Sequence, residues 1–354
     1  MKMAVGKSQI GQGWRASHRL SIAPMLDWTN RYFRRFFREI SKQAMLYTEM
    51  MTTAALLHGD RDKLLAYSSF EKPLALQLGG EDPHKLAECS RIAADWGYDE
   101  INLNVGCPSD RVQSGRFGVC LMAEPQRVAA AVAAMKKAVA IPVTVKHRLG
   151  IADSYRFEQL GEFVRMVSSS GCDRFIVHAR VAFLHGLSPA ENRCIPPLRY
   201  SDVYRLKADF PHLSIDLNGG VTGLEQVIEH LDWLDGVMVG RAAYRDPYAF
   251  ILADQLVFGA TNPPASRGSI VQNMADHLSA QPSGACFSSH AAIRPMLGLF
   301  KGQPAARIWR RAISEGLQRG EDPVRLLLDS LTKLPQEVCK AAPPLPDLAN
   351  DERL

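Results

Sequence analysis

The sequence lacks the features that mark secreted, membrane-spanning and zinc-stabilised proteins. It has no apolar run near the roughly 20 residues that cross a bilayer. Residues 1–20 carry charges but no apolar core followed by a cleavage site, so no signal peptide is predicted. The seven cysteines are odd in number and widely spaced, and none belongs to a CxxC pair or a Cys/His cluster. This usage argues against disulfides and a structural zinc site, so we expect a cytoplasmic protein that binds no metal.

Neither sign of charge dominates the composition. At 354 residues the chain is long enough for one large domain and a smaller one. With 46% hydrophobic and 22% charged residues, its composition is ordinary for a globular protein. The formal net charge of +5 is mild and permits a nucleic-acid partner without requiring one. Nothing in the sequence indicates an obligate dimer, and we expect a monomer.

Short apolar runs alternate with helix-like segments from Leu20 onward. The runs that we interpret as strands begin at Leu20, Ala44, Pro73, Asp99, Pro142, Arg174, Leu213 and Asp235. Amphipathic stretches lie between them, among them Pro83–Trp96, Pro125–Ala138, Phe157–Ser170 and Leu224–His230. Eight strands that alternate with helices predict an α/β protein built as a (β/α)8 TIM barrel. A doubly wound sheet is the alternative, which the absence of a GxGxxG motif after the first strand disfavours.

The alternation stops near Phe250, where a turn-rich segment begins. Beyond it, apolar spacing predicts a small C-terminal helical bundle with helices at Ile270–Leu278, Ala291–Phe300, Ala305–Leu317 and Pro323–Leu331. We predict an N-terminal extension (1–19), a TIM-barrel domain (20–258), a linker (259–269), a helical domain (270–340) and a tail (341–354).

Basic residues concentrate in the predicted helical domain. Between His290 and Gly320 six residues are basic, while Glu315 alone is acidic. A solvated helix face is the commoner explanation for such a run, and contact with nucleic acid is the other. A second basic cluster, near residue 35, is equally compatible with ordinary amphipathicity; it comprises Arg31, Arg34, Arg35 and Arg38.

A thiol follows the fourth predicted strand. The strand ends at Gly106-Cys107-Pro108, in a loop rich in Gly, Ser and Arg. Asn102 and Asn104 lie one pleat apart on that strand and point to the same side, as ligand-facing residues at a barrel mouth would. A small buried thiol is the other interpretation of Cys107.

The last two predicted strands end in sequences that suit a phosphate group. Strand seven ends in Asn218-Gly219-Gly220 and strand eight in Gly240-Arg241. Glycine-rich turns expose backbone N–H groups, and this is the usual place for phosphate in such barrels, although tight turns alone would look the same.

Three further strand ends outline a flat phosphorylated cofactor. They carry Gln77, Lys146 and His178. FMN fits this set, because an amide can pair with the flavin ring edge and a lysine can stabilise the reduced ring. Lys146 alone would also suit a Schiff-base aldolase. Beside a flavin, the mostly protonated Cys107 thiol could protonate one carbon of a C=C bond while hydride reaches the other.

Three segments, Gly106–Gly118, Leu187–Leu198 and Leu297–Phe300, are most similar to the bacterial DusA branch of the tRNA-dihydrouridine synthases. Seven motifs occurring in order resemble those of this family as a whole. They are Ala23-Pro-Met25, Gln77, Asn102-Leu-Asn-Val-Gly-Cys-Pro-Ser109, Val145-Lys-His-Arg148, His178-Ala-Arg180, Asn218-Gly-Gly220 and Val239-Gly-Arg241. The resemblance covers roughly residues 21–316. It implies an FMN-bound barrel, a helical tRNA-binding domain, and NADPH-dependent reduction of uridine to 5,6-dihydrouridine in the tRNA D-loop, at U20 and U20a.

The resemblance also implies roles for single residues. Hydride from reduced FMN would reach C6, and Cys107 would protonate C5. The residues implied to hold FMN are Pro24, Met25, Leu26, Gln77, Lys146, His178, Asn218, Gly219, Gly220, Gly240 and Arg241. Asn104 and Arg180 would face the uridine, and the residues implied to contact tRNA phosphates are Arg294, Arg307, Arg310 and Arg311.

Three positions depart from the family pattern, and two other functions stay open. The pattern has other residues at Pro295-Met296, Val181 and Ala152. These departures affect the expected contacts with tRNA and leave Cys107 and the residues implied to hold FMN unchanged. The alternatives are an FMN-dependent reductase of a free small pyrimidine or enone, and a non-catalytic RNA-binding protein. The basic C-terminal helices disfavour the first, because a small substrate needs no such surface.

Overall fold

Eight parallel strands close into a barrel in the computed structural model, which describes residues 13–152, 155–281 and 288–344 but not the side chains of Asp110 and Arg111. The strands are β1 (Leu20–Ile22), β2 (Met45–Tyr47), β3 (Met51–Thr52), β4 (Leu74–Gly79), β5 (Glu100–Val105), β6 (Val143–Arg148), β7 (Arg174–His178), β8 (Ile215–Asn218) and β9 (Gly236–Val239). Strand β1 pairs with both β2 and β9, and β2 pairs with β4, so the sheet closes. The two-residue β3 follows β2 in the chain and pairs with the carboxyl end of β4, so β2 and β3 together take one strand position in the barrel. The predicted TIM barrel is confirmed.

Helices surround the barrel and continue to the C-terminal end of the described chain. They are α1 (Arg31–Phe37), α2 (Thr53–His58), α3 (Arg61–Leu65), α4 (Pro83–Asp95), α5 (Asp110–Ser114), α6 (Pro125–Ala138), α7 (Phe157–Ser169), α8 (Tyr200–Asp209), α9 (Leu224–Leu231), α10 (Arg241–Arg245), α11 (Ala253–Leu256), α12 (Arg267–Ser279), α13 (Ser289–Ile293), α14 (Ala306–Arg319), α15 (Pro323–Leu331) and α16 (Gln336–Lys340). Two of the described helices begin at an acceptor side chain followed by proline: Asp82 caps α4 and Asp322 caps α15. None of the described helices is long and apolar enough to cross a membrane.

Strand alternation sorts side chains between the barrel interior and the layer under the helices. On β6, Thr144, Lys146 and Arg148 share one side, whereas His147 packs against Phe163 of α7 on the other. The apolar part of the interior is a small separate cluster made of Ala23, Met45, Tyr47, Ala75, Ile176 and Met238. Polar residues fill the remaining interior and create the functional site.

The C-terminal helices share the main apolar core with the barrel rather than standing apart. Trp309 and Ile313 of α14 belong to the same buried cluster as Phe33 of α1. Helix α13 contacts α1, and the Asn273 side chain donates a 2.8 Å hydrogen bond to Glu39. The region after residue 258 is helical as predicted, while the predicted domain boundaries stay predictions. The predicted extension and tail fall partly on residues 1–12 and 345–354, outside the described residues.

One predicted helix is divided. The expected helix Ala291–Phe300 is α13 followed by a 3-10 helix at Arg294–Gly298. Pro295 lacks an N–H and cannot continue the α-helical hydrogen bonds, so the helix changes type at Arg294.

Candidate active site

The loop that carries Cys107 is held from three sides. The side-chain oxygen Oδ1 of Asn104 accepts from the backbone N–H of Gly106 at 3.1 Å and from that of Cys107 at 3.0 Å. Arg148 Nε donates to Gly106 O at 3.0 Å, and Val119 N donates to Cys107 O at 3.1 Å. The Cys107 side chain is half-buried, so a fixed thiol stands at the carboxyl end of β5, the active-site end of a TIM barrel.

Four polar side chains on three adjacent strands lie next to this loop. Strand register pairs Gln77 with Asn102 and Asn102 with Thr144. Gln77 is bonded to both asparagines, with Nε2 2.8 Å from Asn102 Oδ1 and Oε1 2.9 Å from Asn104 Nδ2. Asn104 is thus not simply turned toward a substrate: its oxygen is used in holding the Cys107 loop.

Cations without an acidic partner in the described chain surround the mouth: Arg148 and Arg180 are buried, and Lys146 and Arg241 are half-buried. Lys146 is opposite Asn104 in the register, and burial, with the charge of Arg148, lowers its pKa to about 7. Burial and the nearby Arg148, Lys146 and Arg180 hold the pKa of His178 well below its usual range, so this histidine is neutral at pH 7. Within the described chain no ion pair engages Lys146, Arg148, Arg180 or Arg241. Asp99 and Glu100, the acids at the start of β5, pair instead with Lys72 and His18.

Arginine N–H groups remain available at the mouth. Arg180 is 8% exposed, yet its Nε and Nη1 have no hydrogen-bond partner among the described residues. Arg241 donates to Cys194 Sγ and to Arg193 O, each at 3.0 Å. A buried guanidinium with unsatisfied donors is unfavourable unless an anion or carbonyl completes it, so this group fits a ligand-binding role.

The turn after β8 leaves room only for glycine. Gly219 and Gly220 have φ of +111° and +80°, and an added Cβ on either would lie 2.6 Å or less from a side-chain atom of His178, Leu198 or Tyr200. Gly240 is less constrained, with its nearest neighbours 3.7 Å from an ideal Cβ. The Met25 sulfur is one of those neighbours, so the loop after β1 meets the turn after β9. Leu26 on the same loop is 69% exposed.

These features fit a flat, anionic, phosphorylated cofactor. The mouth offers cations and N–H donors, a glycine cradle that a Cβ would fill, and an exposed apolar residue for a ring system. Asn218 is placed differently, since its Nδ2 donates 2.8 Å to Met238 O and ties β8 to β9. Among the described residues no group of three or more His, Cys, Asp or Glu is arranged to hold a metal ion.

The predicted RNA-contacting arginines lie on the C-terminal helices. Arg307, Arg310 and Arg311 are exposed on α14, and Arg294 is half-buried. Arg311 donates 2.6 Å to Glu315, whereas Arg307 and Arg310 have no ion pair within the described chain.

The early arginine cluster is mostly structural. Arg34 pairs with Glu71 at 2.6 Å, and the buried Arg38 donates to four backbone carbonyls. Arg35 pairs with Glu39. Arg34 and Arg38 thus face the protein interior rather than a solvated helix face.

Sequence reasoning missed Arg148 and Thr144. Arg148 donates to Gly106 O, Val181 O and Asn192 O, and so joins the loops that follow three strands. Both residues have the same parity as Lys146 on β6, and this alternation was the available signal.

Comparisons with known proteins agree with the interpretation of the sequence motifs. A family model described as "Dihydrouridine synthase (Dus)" matches residues 21–338. A protein from Synechocystis sp. named tRNA-dihydrouridine(20/20a) synthase is 56% identical over 296 residues, covering 84% of this chain and 88% of its own. Proteins with the same name from Vibrio vulnificus and Pseudomonas syringae pv. tomato are 54% and 53% identical, covering 91% and 90% of this chain and 98% and 94% of theirs.

A solved structure supports the architecture alone. The complex of 2-naphthoyl-CoA reductase with 2-naphthoyl-CoA superposes with a TM-score of 0.51 at 11% identity. The match covers 68% of this chain and 50% of that one. At this identity the likeness shows only the fold.

Proposed function

The chain belongs to the dihydrouridine synthase family, and from this membership we propose that it reduces uridine to 5,6-dihydrouridine at positions 20 and 20a of the tRNA D-loop. The names of relatives more than 50% identical over most of the chain support this substrate. The observation that carries the proposal is a fixed, half-buried thiol at Cys107 beside Lys146, Arg148 and Arg180, for which the described chain holds no acidic partner.

The proposed cofactor is FMN, with NADPH as reductant. Lys146 and Arg241 supply positive charge, Gln77 supplies an amide, and Gly219-Gly220 supply a close backbone turn. Pro24, Met25, Leu26, His178, Asn218 and Gly240 complete the proposed FMN site. When bound, FMN supplies the hydride that adds to C6 of the uracil ring.

Cys107 acts as the acid in this proposal. Its thiol donates a proton to C5 as C6 is reduced, so the C5–C6 double bond becomes a single bond and a thiolate remains. Water then returns a proton to the thiolate. The two amide hydrogen bonds from the loop to Asn104 hold the sulfur in place during this transfer.

Remote contacts hold the tRNA while one base enters the barrel. A uridine in folded RNA must leave its stack, which costs free energy that phosphate contacts can offset. We assign those contacts to Arg294, Arg307, Arg310 and Arg311, and we assign the free N–H groups of Arg180 to the uridine that enters. The proposal places the reaction in the cytoplasm and is compatible with a monomer.

The test is product mapping. The purified protein with FMN is incubated with an unmodified tRNA transcript and either NADPH or NADH, and dihydrouridine is located by nuclease digestion and mass spectrometry. We expect dihydrouridine at positions 20 and 20a, with NADPH preferred. Turnover of free uracil or orotate without tRNA turnover would favour the small-molecule reductase, and tRNA binding without product would favour the non-catalytic RNA-binding protein.

A further inference from the structure

A continuous row of side-chain hydrogen bonds runs through the barrel interior. It begins at the floor, where the amino ends of the strands lie, and ends at the mouth, where their carboxyl ends lie. Glu100 Oε1 contacts Thr144 Oγ1 at 2.5 Å, and Asn102 Nδ2 lies 2.8 Å from Thr144 Oγ1. Gln77 Nε2 lies 2.8 Å from Asn102 Oδ1, and Asn104 Nδ2 lies 2.9 Å from Gln77 Oε1. Side chains from three neighbouring strands thus form one connected row, and none of the five is more than 9% exposed.

The groups at the floor determine which atom donates and which accepts in each hydrogen bond of this row. Glu100 is surrounded by donors, since the Trp14 indole N–H lies 2.8 Å from Oε2 and can only donate. Burial raises the pKa of Glu100, but the charge of His18 and hydrogen bonds from three side chains outweigh it, so the pKa lies below its ordinary value. An ionised carboxylate only accepts. Thr144 must therefore donate to Glu100, and its lone pairs then accept from Asn102.

The mouth end requires the same direction independently. The backbone amides of Gly106 and Cys107 can only donate, so the oxygen of Asn104 must face them and its nitrogen must face Gln77. With both ends fixed, only one orientation of the Asn102 and Gln77 amides satisfies every contact. Reversing either amide would set two donors or two acceptors against each other in a site without access to water.

We propose that Glu100, Thr144 and Asn102 are positioning residues that fix the amide directions of Gln77 and Asn104 and thereby hold Cys107 in its reactive place. This inference rests on the proposed function and deepens it. The row uses one of the two N–H groups of each amide. Of the three that stay outside it, we assign those of Gln77 and Asn104, which are nearest the mouth, to a ligand. The mouth therefore presents donors to the carbonyl groups of a flavin or a pyrimidine ring. The carboxylate that specifies this arrangement lies at the opposite end of the barrel interior.

Thr144→Val is the decisive substitution, because it keeps the shape and removes both hydrogen bonds of the hydroxyl. Anaerobically reduced protein is mixed with unmodified tRNA, and flavin oxidation is followed in single turnover. We expect the rate of flavin oxidation to fall about 10- to 100-fold, because a small displacement of reacting groups has effects of that size. The affinity for tRNA should be unchanged. Thr144→Ser keeps the hydroxyl and should restore most of the rate.

Two controls separate positioning from general packing. Ser21→Ala removes another fully buried hydroxyl of the barrel, one that has no hydrogen-bond partner among the described residues. This variant should leave the rate of flavin oxidation unchanged. A neutron structure of the wild-type protein shows the amide deuterons directly and needs no variant to fold. Two deuterons on the Asn104 atom facing Gln77 are expected, and the reverse orientation would overturn the inference.

The two hypotheses fail differently. If the wild-type protein makes no dihydrouridine, the proposed function is wrong whatever the variants do. If the wild-type protein is active and Thr144→Val matches it, or if Thr144→Ser is as slow as Thr144→Val, the positioning inference is wrong and the proposed function stands.

Discussion

The floor and the mouth of the barrel treat buried charge in opposite ways. At the floor two acids meet two bases: His18 lies 2.6 Å from Glu100 and 3.4 Å from Asp216, and Arg174 pairs with Asp216. At the mouth, the half-buried Lys146 and the buried Arg148 and Arg180 have no acidic partner among the described residues. Both ends are desolvated, but only the floor is neutralised by the protein itself.

The pKa shifts express this difference. Burial lowers the pKa of His18 and Glu100 raises it, and the net result is above the ordinary value. The pKa of Lys146 is instead lowered to about 7 by burial and Arg148. The floor is therefore complete without a ligand, whereas the mouth is a site whose charge favours an anion.

The largest effect is expected at the mouth, from Cys107→Ala. Loss of the general acid should lower the rate of dihydrouridine formation by about 10²- to 10⁴-fold, with tRNA and FMN binding retained. Mass spectrometry of tRNA from single-turnover reactions measures this rate. Full activity of the variant would remove Cys107 from the mechanism.

Asp216→Asn tests the floor. It removes the charge that pairs with the buried Arg174, and breaking such a pair costs about 3–5 kcal/mol of unfolding free energy. Urea unfolding of protein without FMN measures the loss. An unchanged midpoint would show that the floor is not held by ion pairing.

Lys146→Met, in contrast, should increase the stability of the protein without FMN. Removing an unpaired buried cation should raise its melting temperature while weakening FMN binding by about 10- to 100-fold. Fluorescence titration of FMN and thermal unfolding give the two values. A melting temperature lowered as strongly as in Asp216→Asn would mean that Lys146 is structural.

The pH dependence of FMN binding sharpens the same prediction. Below about pH 7 Lys146 is already charged in the free protein. Above about pH 7, Lys146 must take up a proton when the protein binds the anionic FMN. The affinity for FMN should therefore fall by up to about tenfold per pH unit. The same linkage raises the stability of the FMN-free protein as pH rises from about 7 towards the unfolded pKa. Lys146→Met should remove both slopes.

Gly220→Ala tests the turn after β8. The new Cβ would lie 2.4 Å from Leu198 Cδ1 and from Tyr200 Oη at a φ of +80°, so we expect a loss of about 1–3 kcal/mol in stability and weaker FMN binding. Gly320→Ala is the matched control, with φ of +71° and no atom within 4 Å. It should show the backbone cost alone and bind FMN normally.

The smallest effect is expected on α14. Arg310→Gln should weaken tRNA binding a few-fold and reduce the salt slope by about one. Arg311→Gln should do less, because Glu315 already offsets that charge. Filter binding at several salt concentrations compares them, and equal slopes for both variants and the wild-type protein would place the tRNA elsewhere.

Patterns local to the chain predicted most of the fold. All eight barrel strands lie where the apolar runs indicate, because each βα unit carries its own alternation. Details that depend on neighbouring strands were not readable. The orientation of Asn104 is set by Gln77 and the Cys107 loop, and the structural use of Arg38 depends on carbonyls brought together by folding.

The central claim is that the barrel mouth reduces a base within tRNA. It is tested most directly by reducing the FMN-loaded protein anaerobically, adding unmodified tRNA, and following the visible flavin absorbance. The account predicts rapid reoxidation with tRNA and none with free uracil or orotate. Reoxidation by the small pyrimidines alone, or a protein that takes up no FMN, would contradict it.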